Sequence, residues 1–469
     1  MSRPVNALTP AQAGQEHIMA SPLRDDRPAR PPEGPPERAR LQAVPLGTAR
    51  PRGLIARHPA AASMIAAAAS RLLVFAVAFG SSYWWGARLR HTPLAPTGDA
   101  AVDAHPLGFF LSAWRHWDAV WFTRIAAQGY DRHATAFFPL YPLLVRAAAI
   151  GTGRVTEAGV VVSVACFAGA LVLLYRLVRD EFDASTAAWT VILLSFASTS
   201  FFFQAVYSES LFLLLTVACF SAARRGHWLL AGLGGGLAAL TRSAGVLLVV
   251  PLAWMWFEQY RGRAIRLPGA VAAAPLLARG RPRLVSFGAL ALVPAGLGLY
   301  MAYLYRRFGD PLEFVAAERH WHRSLHLPVI AIYDGAQAAW RSVRSIAADP
   351  AVFTRLERLP FHDQWLTLGN LTAFVALVLA LVLLVACWRR LPSTYTVLAV
   401  ITLLLPLSYP THGTPLLSFP RFLIVDFPVF IALAVLVVRR PVLRWAALAA
   451  LAAGLVVFTV IYANGMWVA

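Results

Sequence analysis

The chain contains no lysine; all 42 of its basic residues are arginines. With Ala, Arg, Gly and Pro abundant, this reads as a compositional bias and carries little chemistry. Charge of either sign is scarce, at 14% of residues. A soluble domain carries about 25%, so a water-soluble globular fold is excluded. Only 3 cysteines are present, Cys166, Cys219 and Cys387, each inside an apolar run. That excludes a disulfide framework and a thiolate metal centre. The first apolar run begins only after residue 60, so no cleavable signal peptide is expected. No internal repeat is visible, which weighs against a transporter built from inverted halves.

What is present is hydrocarbon-soluble. Of 469 residues, 58% are hydrophobic, with mean hydropathy +0.59. Several runs reach the roughly 20 residues that cross a bilayer as a helix. The fold class is therefore all-α, a polytopic membrane protein. Candidate spans are 63–85, 158–178, 185–205, 208–223, 228–241, 244–257, 284–305, 367–388, 394–409, 421–438 and 442–463, about 11 in all. Residues 1–60 form a separate tail. Its Pro-, Arg- and acid-rich stretch 22–40 lacks the apolar content for a core and reads as disordered. The net charge of +19 suggests nucleic acid at first sight. The arginines are dispersed between apolar runs, however, which is a topology signal, so no nucleic-acid partner is expected.

The arginines also set the orientation. Arg50, Arg52 and Arg57 hold the N-terminus in the cytoplasm. Counting from there, the basic loops at Arg176 and Arg179, Arg224 and Arg225, Arg261 through Arg283, Arg389 and Arg390, and Arg439 and Arg440 all fall inside. Keeping that parity requires two short helices across 228–257, meeting at Thr241-Arg242-Ser243. Their turn should lie below the outer surface, in a cavity able to solvate Arg242.

With this topology the polar residues of the apolar region gather on the outer face. They are the 114–142 stretch, Tyr207-Ser208-Glu209-Ser210, Thr241-Arg242-Ser243, the loop 306–366, and Tyr409 through Arg421. Each has a plain reading beside a functional one. Residues 118–128 form an amphipathic interfacial helix with Trp121, Phe122 and Ile125 on one face, Thr123 and Arg124 on the other, and Gly129 as its stop. Asp118 is either its N-cap or a catalytic carboxylate, and the two are compatible. Ser208 and Glu209 are a cap or part of a site. Arg242 and Arg421 either pair with buried carboxylates or bind an anion. His116 and His412 are hydrogen-bonding residues before they are ligands. His320 and His322 have a metal-compatible spacing without a third ligand, so no metal site is expected. Tyr83, Trp84 and Trp85 are interface anchors.

In order, the strings HWDAVWFTRIAAQGYD (116–131), AFFPLYP (136–142), AVYSESLF (205–212), TRSAG (241–245) and FGDPLEF (308–314) resemble the GPI mannosyltransferase 2 family and its bacterial relatives. The resemblance runs from about residue 63 onward and is weakest over 315–420. Ala244 stands where the family often carries Asn. The resemblance implies a GT-C glycosyltransferase with interfacial helices in the first outer loop, an extracytoplasmic site, a polyprenyl-phosphate-linked mannose donor, inversion, and no divalent metal or other cofactor. The acceptor, a glycan, glycolipid or protein, is left open.

On that reading Asp118 is the general base. Arg242, Arg421 and His412 neutralise the leaving phosphate, and His116, Trp117, Tyr207 and Glu209 complete the substrate site. Phe137 and Phe138, with the apolar residues 201–203, line a groove for the donor lipid. The competing classes are a lipid-linked sugar flippase and a GT-C transferase for another sugar such as arabinose. The expected location is a cell membrane, crossed many times.

Overall fold

The computed structural model describes residues 57–89, 111, 113–262, 282–318, 325–350, 368–411 and 413–468. Nearly all of the expected tail lies outside these residues, as do His412, His320 and His322. Among the described residues there is no β-strand, and the elements are helices.

The N-terminal helices are α1 (Pro59–Leu89), α2 (Asp118–Gln128), α3 (Leu140–Ala148) and α4 (Val155–Glu181). Next come α5 (Ala184–Ser195), α6 (Glu209–Arg224), α7 (Trp228–Thr241), α8 (Val249–Arg261) and α9 (Leu292–Phe308). The remainder are α10 (Glu313–Glu318), α11 (Pro328–Ala348), α12 (Asn370–Arg390), α13 (Ser393–Ser408), α14 (Phe419–Leu423), α15 (Phe427–Val437) and α16 (Pro441–Ala463). Among the described residues five segments are long and apolar enough to cross a membrane: Pro59–Trp84, Val155–Glu181, Leu284–Phe308, Asn370–Arg390 and Pro441–Ala463. Only 22% of the most apolar stretch is buried within the protein in two of them, Leu284–Phe308 and Pro441–Ala463. Such outward apolar faces are satisfied by lipid and not by water.

Every expected span falls on helix, but several are interrupted. The run 185–205 is not one helix: α5 stops at Ser195, and a 3-10 turn follows at Ser200–Phe203. Carbonyls freed at a break inside a membrane need partners. Arg71 of α1 supplies them, donating from Nη2 to the Ser195 carbonyl at 2.8 Å and from Nη1 to the Ser200 carbonyl at 2.6 Å. The run 421–438 likewise splits into α14 and α15, and Pro428 opens the second piece, where no donor is required. The run 244–257 starts as the 3-10 turn Ser243–Leu248 before α8. Within 306–366, read as a loop, α10 and the 21-residue α11 stand.

One close approach sets the position of α7. Gly232 and Gly236 are four apart and share a face. A Cβ on Gly232 would lie 2.1 Å from the Ala289 carbonyl oxygen, and one on Gly236 would lie 2.6 Å from that of Leu292. From the other side, a Cβ on Gly296 would meet the Gly236 oxygen at 2.1 Å. Small residues thus bring the backbones of α7 and α9 together, and α7 ends where Arg242 begins the next turn.

Candidate active site

Charged side chains converge from four segments that are distant in sequence. Asp118 is the first residue of α2, Glu209 the first of α6, Arg242 the residue between α7 and the following 3-10 turn, and Arg421 lies in α14. Local conformation places each one. Gly245 folds back on α7 so tightly that a Cβ there would sit 2.3 Å from Ala238 backbone atoms, which fixes the turn at Arg242. Ser418, at φ +64, turns the chain into α14. Thr199 Oγ1 then donates to the Pro420 carbonyl at 3.0 Å.

The four form one hydrogen-bonded chain. Glu209 Oε1 accepts from Arg421 Nε at 2.6 Å and from Arg242 Nη1 at 2.5 Å. Arg421 Nη1 donates to Asp118 Oδ2 at 2.5 Å. Glu209 is fully buried, and its Oε2 has no hydrogen-bond partner among the described residues. Charges this deep persist only when paired. Aromatic faces complete the pairing: the Arg421 guanidinium carbon is 5.0 Å from the Tyr207 ring centroid and 5.4 Å from that of Phe422. Phe422 also faces the Arg242 guanidinium at 5.2 Å.

Asp118, Arg242 and Arg421 border a cavity of about 270 Å³. Phe137, Phe138 and Phe422 supply apolar wall, and Ser208, Ser418 and Tyr409 supply hydroxyls. The first loop is held over this cavity by the 308–314 string. Arg132 donates to Glu313 Oε2 at 2.9 Å and to the Phe308 carbonyl at 3.0 Å. Tyr300 Oη donates to the Thr135 carbonyl at 2.8 Å, and its ring lies 4.9 Å from that of Phe138.

Several expectations are corrected by this geometry. Asp118 is not the N-cap of its helix. Trp117 holds that position at φ +60 without a side-chain cap, and the Asp118 carboxylate turns to Arg421. A charge-assisted bond to a guanidinium outweighs a cap. Ser208 precedes α6 but makes no side-chain cap either. Thr123 is buried, its hydroxyl folded back on the Ala119 carbonyl, so it is not on a polar face. Gly129 does end α2 at φ +89.

Arg242 pairs with the buried carboxylate of Glu209, as its first reading expected, and also borders the cavity. Glu209, Tyr207, His116 and Trp117 stand behind the cavity wall. Tyr207 Oη donates to the His116 carbonyl at 3.1 Å, and Trp117 packs edge-on against Trp467, which does line the cavity. Burial pushes the His116 imidazole down to about 4, aided by neighbouring Arg115, so it is neutral at neutral pH. Phe137 and Phe138 line the cavity, whereas Phe201, Phe202 and Phe203 are core residues and line no groove with them. Trp467, Phe422 and Arg71 were not singled out from sequence, although Arg71 is a charge inside an expected span; Ser418 was covered only as part of the stretch Tyr409 through Arg421.

Residues 97–308 match the family model described as mannosyltransferase (PIG-V). Over this segment the chain is similar to that family, as its strings indicated. The PIG-V-like segment contains Asp118, Glu209 and Arg242, and Arg421 lies beyond it. Curated relatives agree. GPI mannosyltransferase pigv-1 of Caenorhabditis elegans is 28% identical over 221 residues, covering 40% of this chain and 33% of that protein. GPI mannosyltransferase 2 of Drosophila pseudoobscura pseudoobscura is 35% identical over 114 residues, 22% of this chain and 25% of that one. GPI alpha-1,6-mannosyltransferase 2 of Rattus norvegicus is 30% identical over 237 residues, 46% of this chain and 45% of that one. The chain therefore spans less than half the length of these curated relatives. Among solved structures, the archaeal oligosaccharyltransferase AglB from Archaeoglobus fulgidus, in complex with an inhibitory peptide and a dolichol-phosphate, matches at TM-score 0.38 and 14% identity. That match covers 74% of this chain and 52% of that one, a likeness too low to bear on chemistry.

Proposed function

We propose that this protein is a membrane mannosyltransferase of the GT-C type, transferring mannose from a polyprenyl-phosphate donor to an acceptor hydroxyl on the extracytoplasmic face, with inversion. The observation that carries the reading is the cavity bordered together by Asp118, Arg242 and Arg421. Transfer to a hydroxyl needs a base on the acceptor oxygen and neutralisation of a departing phosphate. Asp118 takes the acceptor proton. The acceptor oxygen bonds to the anomeric carbon on the face opposite the phosphate, and the carbon–phosphate oxygen bond breaks with its electron pair going to phosphate. Arg421 and Arg242 receive that charge, since a guanidinium matches phosphate oxygens. Phe137 and Phe138 lie against the first isoprene units of the donor.

The PIG-V resemblance supports mannose, and the dispersed arginines support the extracytoplasmic side. Incubating purified protein with labelled polyprenyl-phosphate mannose and, separately, polyprenyl-phosphate arabinose tests the donor. Label should pass to an acceptor fraction from mannose; transfer from arabinose alone would overturn the sugar assignment. Orientation is tested in a cysteine-free background with an impermeant thiol reagent on intact cells. Ile150→Cys should react and Arg390→Cys should not; the reverse would invert the topology.

A further inference from the structure

The charge count at the site poses a problem for a base. Asp118 must accept a proton, yet its Oδ2 already accepts a charge-assisted hydrogen bond from Arg421 Nη1 at 2.5 Å, which occupies the atom that would take it. Arg421 itself borders the cavity beside Asp118, where an anion would meet its guanidinium. Its other arm, Nε, is fixed on Glu209. Glu209 is fully buried and does not border the cavity, so it touches no ligand and acts only through the two arginines it holds.

We propose that Asp118 and the ligand phosphate share Arg421 in turn, with Glu209 as the positioning residue that keeps Arg421 in place during the exchange. This rests on the reading of the cavity as a phosphate site. An incoming phosphate oxygen takes the Nη1 donor from Asp118. Seating of the donor phosphate thus frees Asp118 Oδ2 to accept from the acceptor hydroxyl, so base activity is coupled to donor binding. No covalent bond changes in this exchange; one charge-assisted hydrogen bond is replaced by another. The later proton transfer runs from acceptor hydroxyl to Asp118, as above.

The arrangement has a consequence that neither a simple base nor a structural ion pair would have. Removing the Asp118 charge should tighten phosphate binding, because the competitor for Arg421 is gone, while turnover is lost. Removing the Glu209 charge should loosen binding, because Arg421 and Arg242 lose their shared anchor. A general electrostatic effect would instead make both neutralisations tighten binding.

The test is binding of a short-chain polyprenyl phosphate, without sugar, to the full-length protein in lipid nanodiscs, followed by quenching of tryptophan fluorescence. Asp118→Asn should lower Kd by about tenfold, the size of one charge-assisted hydrogen bond. Glu209→Gln should raise Kd by a similar factor. Glu318→Gln removes another cavity carboxylate and should leave Kd within about twofold. If Glu209→Gln gives no folded protein, the contrast between Asp118→Asn and Glu318→Gln still decides. Unchanged or weaker binding by folded Asp118→Asn, or equal tightening by both variants, would overturn the exchange. Absence of phosphate binding by the wild-type protein would instead overturn the phosphate-site reading itself.

Discussion

Helix α6 carries a buried ion-pair network at each end, and the two are built differently. At its first residue, Glu209 accepts from both Arg242 and Arg421, and Arg421 reaches on to Asp118. At its last residue, Arg224 Nε donates to Glu181 Oε1 at 2.6 Å. Close by, Ser393 Oγ and Thr394 Oγ1 donate to the two oxygens of Glu258, at 2.6 and 2.9 Å. Arg225 meets Asp180 at 2.7 Å, and Gln259 Nε2 donates to the Ala223 carbonyl at 2.8 Å. The helix between is about 22 Å long at 1.5 Å per residue, so the networks occupy opposite faces of the bundle. Both contain buried arginines and carboxylates. The Arg224–Glu181 pair lines neither the cavity at Asp118 nor the one beside Tyr300 and Tyr303. The network at Glu209 shares Arg421 between two carboxylates beside open space. Burial and pairing alone therefore do not mark a working site. In the function proposed above, a shared cation next to a cavity does.

The sharpest way to break this contrast is at the inner end. Arg224→Met leaves the Glu181 carboxylate buried without its cation, and should cost about 3–5 kcal/mol of stability. Thermal unfolding in detergent should show a large fall in Tm, while turnover per folded molecule stays within about twofold. Loss of turnover in the folded fraction would extend the working site to the inner face.

The next effect is one of pH. His116 lies behind the outer cavity, with burial holding its imidazole at about 4 against an ordinary 6.5. The unfolded chain then binds the extra proton first, so stability is full above pH 6.5 and falls as pH drops toward 4. The loss is at most about 3 kcal/mol. His116→Gln should remove this component from the acid-side stability curve. An unchanged difference curve between wild type and variant would mean that the imidazole is hydrated.

Backbone packing gives a smaller effect. Gly236→Ala places a methyl 2.6 Å from the Leu292 carbonyl oxygen and should cost about 1–3 kcal/mol by overpacking. Because α7 ends at Arg242, turnover should fall along with stability. Tolerance of alanine at wild-type Tm would show that α7 and α9 do not need this approach.

The smallest effect compares the two networks by geometry alone. Arg242→Lys keeps the charge and loses the fork, so phosphate contacts weaken and turnover should fall about tenfold. Stability should change little, since an ammonium still pairs with Glu209. A fall in Tm with unaltered donor kinetics would make Arg242 a structural residue, like Arg224.

Much of the site was legible because it lies in short strings of unusual residues. Asp118, Glu209 and Arg242 are polar interruptions of apolar sequence, and the cost of such interruptions points to them before any fold is known. Their partnership was less legible. Asp118 and Arg421 are 303 positions apart, and no periodicity connects them. The helix break after Ser195 was missed for a different reason: Ser198-Thr199-Ser200 interrupts the apolar run only briefly before Phe201–Phe203, and the partner that satisfies the break, Arg71, lies in another span. Those phenylalanines read as lipid-facing and are core, since apolar character does not distinguish lipid from protein interior. Gly232 and Gly236 read as part of a short helix, and their close approach to α9 became visible only with the neighbour in place.

If the network at Asp118 performs transfer, its carboxylate must take the acceptor proton. The measurement that tests it most directly is turnover of Asp118→Asn with labelled polyprenyl-phosphate mannose, beside its Tm in the same detergent. Asn keeps the shape of Asp118 and removes the proton acceptor. The account predicts a loss of about 10²–10⁴ in rate with Tm close to wild type. Turnover near the wild-type value in the folded Asn variant would contradict it.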